Sequence, residues 1–168
     1  RNIRADLKCK VIRGNVDTRI KKLNDQLYDA IILSYAGIKS LEMEDYVSEI
    51  FSVEDLIPSA GQGIISLQCR EDDNKIISLL KKINHKETYQ RATAERGVLK
   101  VLEGDCETAI GAHAVVQGEK IILEAELFSL DGTQRYYEKK SSQIGNAKEL
   151  GKEVGEILKM KSNNTYKK

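Results

Sequence analysis

The sequence predicts an α/β region followed by a small α+β domain. In the first half of the chain, short apolar runs typical of strands alternate with amphipathic helical segments, which indicates parallel strand–helix–strand units. In the second half, a long helical segment precedes three strand-like runs joined by short glycine turns, and another helical segment follows. This order predicts a three-stranded antiparallel sheet with both helices packed on one face.

In the first half, Leu7–Ile12 is short and partly β-branched and predicts a strand that ends in the turn Arg13-Gly14-Asn15. A helix follows over 18–26, where apolar residues recur three and four positions apart. The apolar run Ala30–Leu33 predicts a strand covered on both faces. Later segments predict a helix in two pieces over 38–51, a boundary at Pro58, Gly61 and Gly63, a strand over 64–69 and a helix over 72–83.

In the second half, Asn84 and Glu87 have the spacing of a capping box, which predicts a helix from His85 to Leu102. Three strands are predicted over 112–116, 121–129 and 134–140, with turns at Gly118-Glu119 and Asp131-Gly132. Asn146 and Glu149 repeat the capping spacing before a closing amphipathic helix. The lysine-rich tail after this helix is expected to fray.

Composition excludes several classes of protein. The 168 residues carry 27 Lys and Arg against 26 Asp and Glu, so there is no basic excess for binding nucleic acid through charge alone. The apolar runs are far shorter than the roughly 20 residues that span a bilayer. Three cysteines and two histidines without metal-ligand spacing predict no metal site and a reducing, cytoplasmic location. The chain begins with Arg1 rather than Met, so we expect a fragment, and nothing around Arg1 resembles a signal peptide.

Two segments have the residue types of a binding site. Arg13 and Arg19 flank a turn between a predicted strand and a helix N-terminus, where backbone N–H groups and guanidinium forks favour carboxylates or phosphates. The alternative is that both arginines are solvated surface residues. Cys106 lies on a loop after a helix, where a thiol is accessible, whereas Cys9 and Cys69 lie in predicted strands and are expected to be buried and inert. The two glycines around Gln62 predict a hinge or a close backbone approach.

Several segments together resemble one family, porphobilinogen deaminase, also called hydroxymethylbilane synthase. The matching segments follow one another along the whole chain. They are Arg13-Gly-Asn-Val-Asp-Thr-Arg19, Tyr28-Asp-Ala-Ile-Ile-Leu33 with Ala36-Gly37-Ile38-Lys39, Ala60-Gly-Gln-Gly63 ahead of Cys69-Arg70, Ala94-Glu-Arg96, and Gly104-Asp-Cys-Glu-Thr-Ala-Ile-Gly111.

The resemblance implies a three-domain protein in which two domains are similar to periplasmic binding proteins. It implies that residues 1–57 are the remainder of domain 2, that 58–83 are the crossover and returning segment of domain 1, that 84–160 are domain 3, and that 161–168 are a basic tail. The amino-terminal part of the family, which carries a catalytic aspartate, is then absent from this chain. No residue here is assigned that role.

The resemblance also implies a reaction and a cofactor. In this family four porphobilinogen molecules condense head to tail, with loss of ammonia, on a dipyrromethane cofactor held by a cysteine thioether. Cys106 matches that cysteine, and Arg13 and Arg19 match arginines that bind the acidic side arms of the growing chain. Gln62 and Gly63 match the segment beside the cofactor. The family is a transferase of heme biosynthesis and is usually monomeric, so the resemblance implies porphobilinogen as the substrate and a monomer.

The sequence departs from the family pattern at three positions. Asp105 stands where many members have a glycine, and Ala109 stands where many have a proline. Ser40 replaces an arginine, and the neighbouring Lys39 would replace its charge without the bidentate fork. We therefore expect weaker cofactor binding than in a typical member.

Two other functions fit parts of the sequence. An α/β domain without enzymatic activity could bind a small carboxylate through Arg13 and Arg19, and it would need no thiol at Cys106. A nucleic-acid protein could use the basic stretch from Arg1 to Leu23, which carries eight basic and two acidic residues, although the near-neutral overall charge disfavours this.

Overall fold

The computed structural model describes Arg4, residues 6–104 and residues 108–167. The described chain divides into two compact units, which meet in sequence between Ser52 and Val53. We describe each unit by itself.

The second unit contains a three-stranded antiparallel sheet and the longest helices of the described chain. Its elements, in chain order, are α3 (Asn74–Ile83), α4 (Lys86–Leu102), β1 (Ile110–Gln117), β2 (Lys120–Phe128), β3 (Arg135–Gln143), a 3-10 turn (Ile144–Asn146) and α5 (Ala147–Ser162). The sheet order is β1-β2-β3. The predicted small α+β domain with three antiparallel strands and two helices is confirmed.

The core of this unit lies between one face of the sheet and the helices α4 and α5. Alternate strand residues point toward the helices, because successive side chains in a strand face opposite sides. On β2 these are Ile121, Leu123, Ala125 and Leu127, all fully buried. They pack with Val98 of α4 and Val154 of α5 among others. Both helices therefore cover the same sheet face, as predicted.

The two helices approach each other closely at glycines. A Cβ built on Gly151 of α5 would lie 2.2 Å from the Ala94 carbonyl oxygen of α4 and 3.0 Å from the Gly97 Cα. A Cβ built on Gly155 would lie 2.8 Å from Val101 Cβ. Side chains at these positions would push the helices apart, so the sequence uses glycine where the backbones meet.

The first unit contains short helices and little core. Its elements are α1 (Val16–Asn24), α2 (Tyr35–Ser40) and a 3-10 turn (Glu44–Tyr46). Ile20 and Ile38 are the buried hydrophobic residues among its described positions. The helices predicted over 18–26 and 38–51 are thus present in shorter or shifted form.

The strands predicted in the first half are wrong. The described residues of 7–12, 30–33 and 64–69 form no strand. Val11 is 81% exposed, and Ile65 is 91% exposed. A strand needs backbone hydrogen bonds to a neighbouring strand, and these segments have no such partner among the described residues. Cys9 is accordingly exposed and Cys69 half-buried, against the prediction that both are buried.

Two predictions about helix ends are also wrong. His85, not Asn84, caps α4, and its ring Nδ1 accepts a hydrogen bond of 3.2 Å from the Thr88 N–H. The tail after α5 does not fray over its described part, because Tyr166 is 3% exposed and its hydroxyl donates to the Leu102 carbonyl at 3.3 Å. This segment is held by an aromatic side chain packed on the core and by ion pairs of Lys161 with Glu138 and of Lys167 with Glu103.

Candidate functional site

The first unit contains an open cavity of about 670 Å³ near the N-terminus of α1. Its polar lining comes from the turn before α1 and from the region of α2, and its apolar lining comes from three side chains. The lining residues are Gly14, Asn15, Val16, Asp17, Arg19, Ser34, Gly37, Ser40, Leu41 and Met43. A guanidinium, one uncommitted hydroxyl group and an amide give the cavity donors suited to carboxylate groups, whereas the lining carboxylate of Asp17 repels such groups.

Arg19 is held in place by the turn that precedes its helix. Its Nε donates a hydrogen bond of 2.7 Å to the Gly14 carbonyl oxygen, and its two Nη nitrogens make no hydrogen bond to a described residue. Gly14 has a φ of +127°, and a Cβ there would lie 2.9 Å from Thr18 Cγ2. Glycine is therefore required in this turn both for its backbone angle and for space.

Of the other charged and polar residues considered in the first unit, some line the cavity and others do not. Arg13 is exposed and is not part of the cavity lining, although it directly precedes Gly14. Asp17 does line the cavity, and its carboxylate accepts from the Thr18 N–H at 2.7 Å. Ser40 also lines it, with its hydroxyl donating to the Gly37 carbonyl at 2.9 Å, whereas Lys39 does not line it. The local charge is thus less positive than the sequence alone predicts.

In the second unit, residues 59–64, which we call the glycine loop, form two consecutive tight turns. The Gln62 N–H donates to the Ser59 carbonyl at 3.1 Å, and the Ile64 N–H donates to the Gly61 carbonyl at 3.2 Å. Gly61 and Gly63 have φ values of +80° and +74°. A Cβ at either glycine would meet no atom within 4 Å, so glycine is needed here for its backbone angle and not for space. Gln62 is exposed between them.

A buried glutamate joins this loop to the sheet. Glu95 of α4 is 2% exposed, and its Oε2 accepts from the Gly61 N–H at 2.8 Å while its Oε1 accepts from the Ala114 N–H at 2.9 Å. Arg91, one helical turn earlier, donates from Nε to the Ala114 carbonyl at 2.6 Å. Upstream of the loop, the Pro58 carbonyl accepts from the Ala112 N–H at 2.9 Å. These groups form hydrogen bonds with backbone N–H and carbonyl groups at the outer edge of β1, where a further strand would otherwise pair.

Sequence reasoning missed the part that Glu95 plays. The resemblance includes Ala94-Glu95-Arg96, but the sequence pattern assigned no role to this segment. The signal was present, because an acidic residue lies beside the buried positions Ala94 and Val98 of an amphipathic helix. A charge at such a position needs hydrogen bonds from other parts of the chain.

The predicted site residues fall in different parts of the chain. Arg13 and Arg19 lie in the first unit, and Gln62 and Gly63 lie in the second. Cys106, with its neighbours Asp105 and Glu107, lies outside the described residues. Within the described ranges, no three His, Cys, Asp or Glu side chains are grouped to hold a metal ion. No helix there is long and apolar enough to cross a membrane.

The described chain combines a unit built on a three-stranded antiparallel sheet with another unit that contains an open cleft, which defines an α+β protein of at least two units. Comparison with protein families identifies it more closely. Residues 1–78 match the model "Porphobilinogen deaminase, dipyromethane cofactor binding domain", and residues 89–160 match "Porphobilinogen deaminase, C-terminal domain".

Individual relatives carry the same name. The chain is 43% identical over 157 residues to the porphobilinogen deaminase of Desulforamulus reducens, a match that covers 94% of this chain and 51% of the relative. It is 41% identical over 155 residues to that of Trichlorobacter lovleyi, covering 92% of this chain and 50% of the relative. It is 42% identical over 158 residues to the porphobilinogen deaminase of Lysinibacillus sphaericus, a match that covers 93% of this chain and 50% of the relative. The chain belongs to the porphobilinogen deaminase family and spans about half the length of these relatives.

Proposed function

We propose that this chain is the carboxy-terminal part of a hydroxymethylbilane synthase, a transferase of tetrapyrrole biosynthesis that condenses four porphobilinogen molecules. The observation that carries the proposal is that matches to two domains of this family cover residues 1–78 and 89–160. The motifs that suggested the family lie inside those ranges. We expect the protein to act as a monomer in the cytoplasm.

The residues present fit a dipyrromethane cofactor with acidic side arms. The cavity has a free guanidinium edge at Arg19 and one uncommitted hydroxyl group, that of Ser34, which match the chemistry of carboxylates. The Asp17 carboxylate on the same lining opposes an anionic ligand. We propose that Arg13 and Arg19 bind these side arms, that Cys106 holds the cofactor through a thioether, and that Gln62 and Gly63 lie beside it. When bound, the cofactor supplies the pyrrole carbon to which the first porphobilinogen is added.

The role of the first unit follows from its exposed apolar residues. Val11 is 81% exposed and Ile32 is 69% exposed, although both lie in runs with strand-forming composition. We propose that residues 1–57, which include the first unit, are the remainder of a periplasmic-binding-protein-like domain 2 whose sheet is formed with strands outside this chain. Residues 58–83 would then be the crossover to domain 1, and 84–160 would be domain 3.

The chain alone is expected to be inactive, because the family's catalytic aspartate has no counterpart among its residues. A purified sample supplied with porphobilinogen should give no uroporphyrin after oxidation. Joining the chain to the amino-terminal half of the Desulforamulus reducens relative should restore the product. Formation of uroporphyrin by the chain alone would refute the proposal that catalysis requires the amino-terminal half of the family.

The cofactor assignment has a sharper test. In the joined protein, intact-mass measurement should detect a dipyrromethane increment that disappears in Cys106→Ser. The matched control is Cys69→Ser, which removes the half-buried thiol of the second unit and should keep the increment. An increment that survives in Cys106→Ser, or that is lost in Cys69→Ser alone, would overturn the assignment to Cys106.

The simpler alternative, a carboxylate-binding domain without catalysis, predicts no covalent adduct in any of these proteins. The cavity of the first unit is compatible with it. The family match over 89–160 favours the enzyme, because a solute-binding domain has no use for this additional unit.

A further inference from the structure

The carboxylate of Glu95 is buried, and the guanidinium of Arg91, one helical turn earlier, binds the Ala114 carbonyl oxygen rather than this carboxylate. The Glu95 side chain forms no salt bridge with a Lys or Arg of the described residues, and both of its oxygens accept backbone N–H groups instead. A buried charge is costly unless it is fully hydrogen-bonded, and an apolar side chain would usually pack as well or better at such a site. The charge at this position is therefore best explained by the two backbone segments that it joins.

These two segments are far apart in sequence. Gly61 lies 34 residues before Glu95, and Ala114 lies 19 residues after it. The Gly61 N–H belongs to the glycine loop, and the Ala114 N–H belongs to the outer edge of β1. One carboxylate thus binds the loop to the sheet by two hydrogen bonds to a charged acceptor, which are stronger than bonds between neutral groups.

Apart from the Glu95 bond, the glycine loop is attached to the rest of the second unit by few contacts. Ala60 packs against the core, and Pro58 accepts from β1 before the loop begins. From Gly61 to Ile64 the described hydrogen bonds of the loop, apart from the Glu95 bond, are those of its own two turns. Its internal shape is set by its glycines, and its attachment beyond Ala60 is set by Glu95.

We propose that Glu95 is a positioning residue that fixes the 59–64 loop on β1 and so determines where Gln62 and Gly63 are presented. The attachment itself is argued from geometry alone. Its use in cofactor binding rests on the proposed function, in which Gln62 and Gly63 lie beside the cofactor. Glu95 touches neither substrate nor cofactor in this proposal and acts through the loop.

The first test measures amide hydrogen exchange by NMR on the 168-residue chain without cofactor. In the unmodified chain, the Gly61 amide should exchange at least about tenfold more slowly than the Gly63 amide, which has no acceptor among the described residues. Equal rates would overturn the proposal before any variant is made.

Two variants then test the carboxylate. Glu95→Gln keeps the shape but has one acceptor oxygen, and Glu95→Asp keeps both oxygens on a side chain that is one methylene shorter. Both should raise exchange at Gly61 and Ala114 at least about tenfold, while Leu123 and Val154 in the core change much less. A uniform rise at all four amides would mean that Glu95 contributes only to overall stability, and the proposal would fail.

The matched control is Glu126→Gln. Glu126 is also buried, at 5% exposure, but its carboxylate pairs with Arg135 of β3 at 2.7 Å and makes no described hydrogen bond to the 59–64 loop. This variant should leave exchange at Gly61 unchanged relative to the core. Selective release of Gly61 in Glu126→Gln would show that any buried charge affects the loop, and it would contradict a specific role for Glu95.

The second test addresses the cofactor and uses the protein joined to the relative's amino-terminal half. At equal folded fraction, the fraction of protein with the dipyrromethane increment should fall severalfold in Glu95→Gln and remain unchanged in Glu126→Gln. Full loading of Glu95→Gln despite a released loop would overturn the link to the cofactor. If no variant and no parent carries the increment, the proposed function fails, while the exchange result still decides the attachment.

Discussion

At the scale of single residues, short polar side chains organise the turns of the second unit. The β2–β3 turn is built around Asp131, whose Oδ1 accepts from the Ser129 hydroxyl at 2.6 Å and from the Thr133 N–H at 3.0 Å. The Thr133 hydroxyl donates to the same oxygen at 2.9 Å. These bonds lower the pKa of the Asp131 carboxyl from 3.8 to about 2, with the Ser129 hydroxyl as the largest cause. The turn is therefore stabilised by the ionised form of one exposed acid.

This predicts a dependence of stability on pH. Because the pKa of Asp131 is lower in the folded than in the unfolded chain, its contribution to the free energy of unfolding is complete above pH about 4 and is lost as pH falls toward about 2. Asp131→Asn should lower that free energy at pH 7, and its difference from the unmodified chain should shrink over that interval. Urea unfolding followed by circular dichroism at pH 7, 4, 3 and 2 measures this.

The matched acid-to-amide control is Glu119→Gln in the β1–β2 turn. The Glu119 side chain makes no hydrogen bond to a described residue, so this change should have little effect on unfolding at pH 7. A difference between Asp131→Asn and the parent that stays constant from pH 7 to pH 2 would contradict the role of the Asp131 carboxylate.

At the scale of secondary-structure elements, the packing of α4 on α5 depends on close backbone contact. The Gly151 backbone lies against the Ala94 carbonyl and Gly97, and a methyl group there would overlap with main-chain atoms that cannot rotate away. Gly151→Ala should therefore lower the free energy of unfolding by about 1–3 kcal/mol, the usual cost of overpacking a core. Chemical unfolding of the two proteins in urea tests the difference.

Gly145→Ala provides the control for this substitution. A Cβ at Gly145 would meet no atom within 4 Å, and the residue has no positive φ. Its replacement should change the free energy of unfolding by no more than about 0.5 kcal/mol. If Gly151→Ala proves as mild as Gly145→Ala, the close helix contact does not limit stability.

Comparison of the predicted with the observed elements shows which parts of the fold can be predicted from the sequence. The helix–three strands–helix order of the second half was predicted, because amphipathic periodicity and hairpin turns are local signals and the sheet pairs neighbouring strands. The strands at 7–12 and 30–33 were predicted from equally strand-like composition and are not formed. Composition shows that a segment can form a strand, but the strand exists only where a neighbour supplies hydrogen bonds.

For the candidate site, only the placement of the predicted residues is known, and their binding roles stay predictions. Arg19 and the glycine turn before it were predicted from residue type and position, and the structure places Arg19 on a cavity with suitable donors. Arg13 does not line that cavity, and sequence gave no means to distinguish the two arginines. The bridging carboxylate of Glu95 was missed because its partners lie 34 and 19 residues away, beyond the reach of any local pattern.

At the scale of the whole molecule, the apolar core is unevenly divided. The described first unit buries Ile20 and Ile38, whereas the core of the second unit has fifteen buried members drawn from α4, the strands β1 and β2, α5 and the segment after it. Burial of apolar surface is the main source of folding free energy, so nearly all of it resides in the second unit. The exposed apolar residues of the first unit add no stabilisation while they remain in water.

The two units should consequently differ in their ability to fold. A chain of residues 53–168 should unfold in one cooperative urea transition, and its β2 and α5 amides should be the slowest to exchange, because its core is complete. A chain of residues 1–52 should show no cooperative transition, since two buried isoleucines cannot offset the conformational entropy of some fifty residues. Circular dichroism and amide exchange on both chains measure this. A sharp transition for residues 1–52 alone would show that the first unit stabilises itself by contacts other than apolar burial, and it would remove the reason to expect that its exposed residues are covered by further strands.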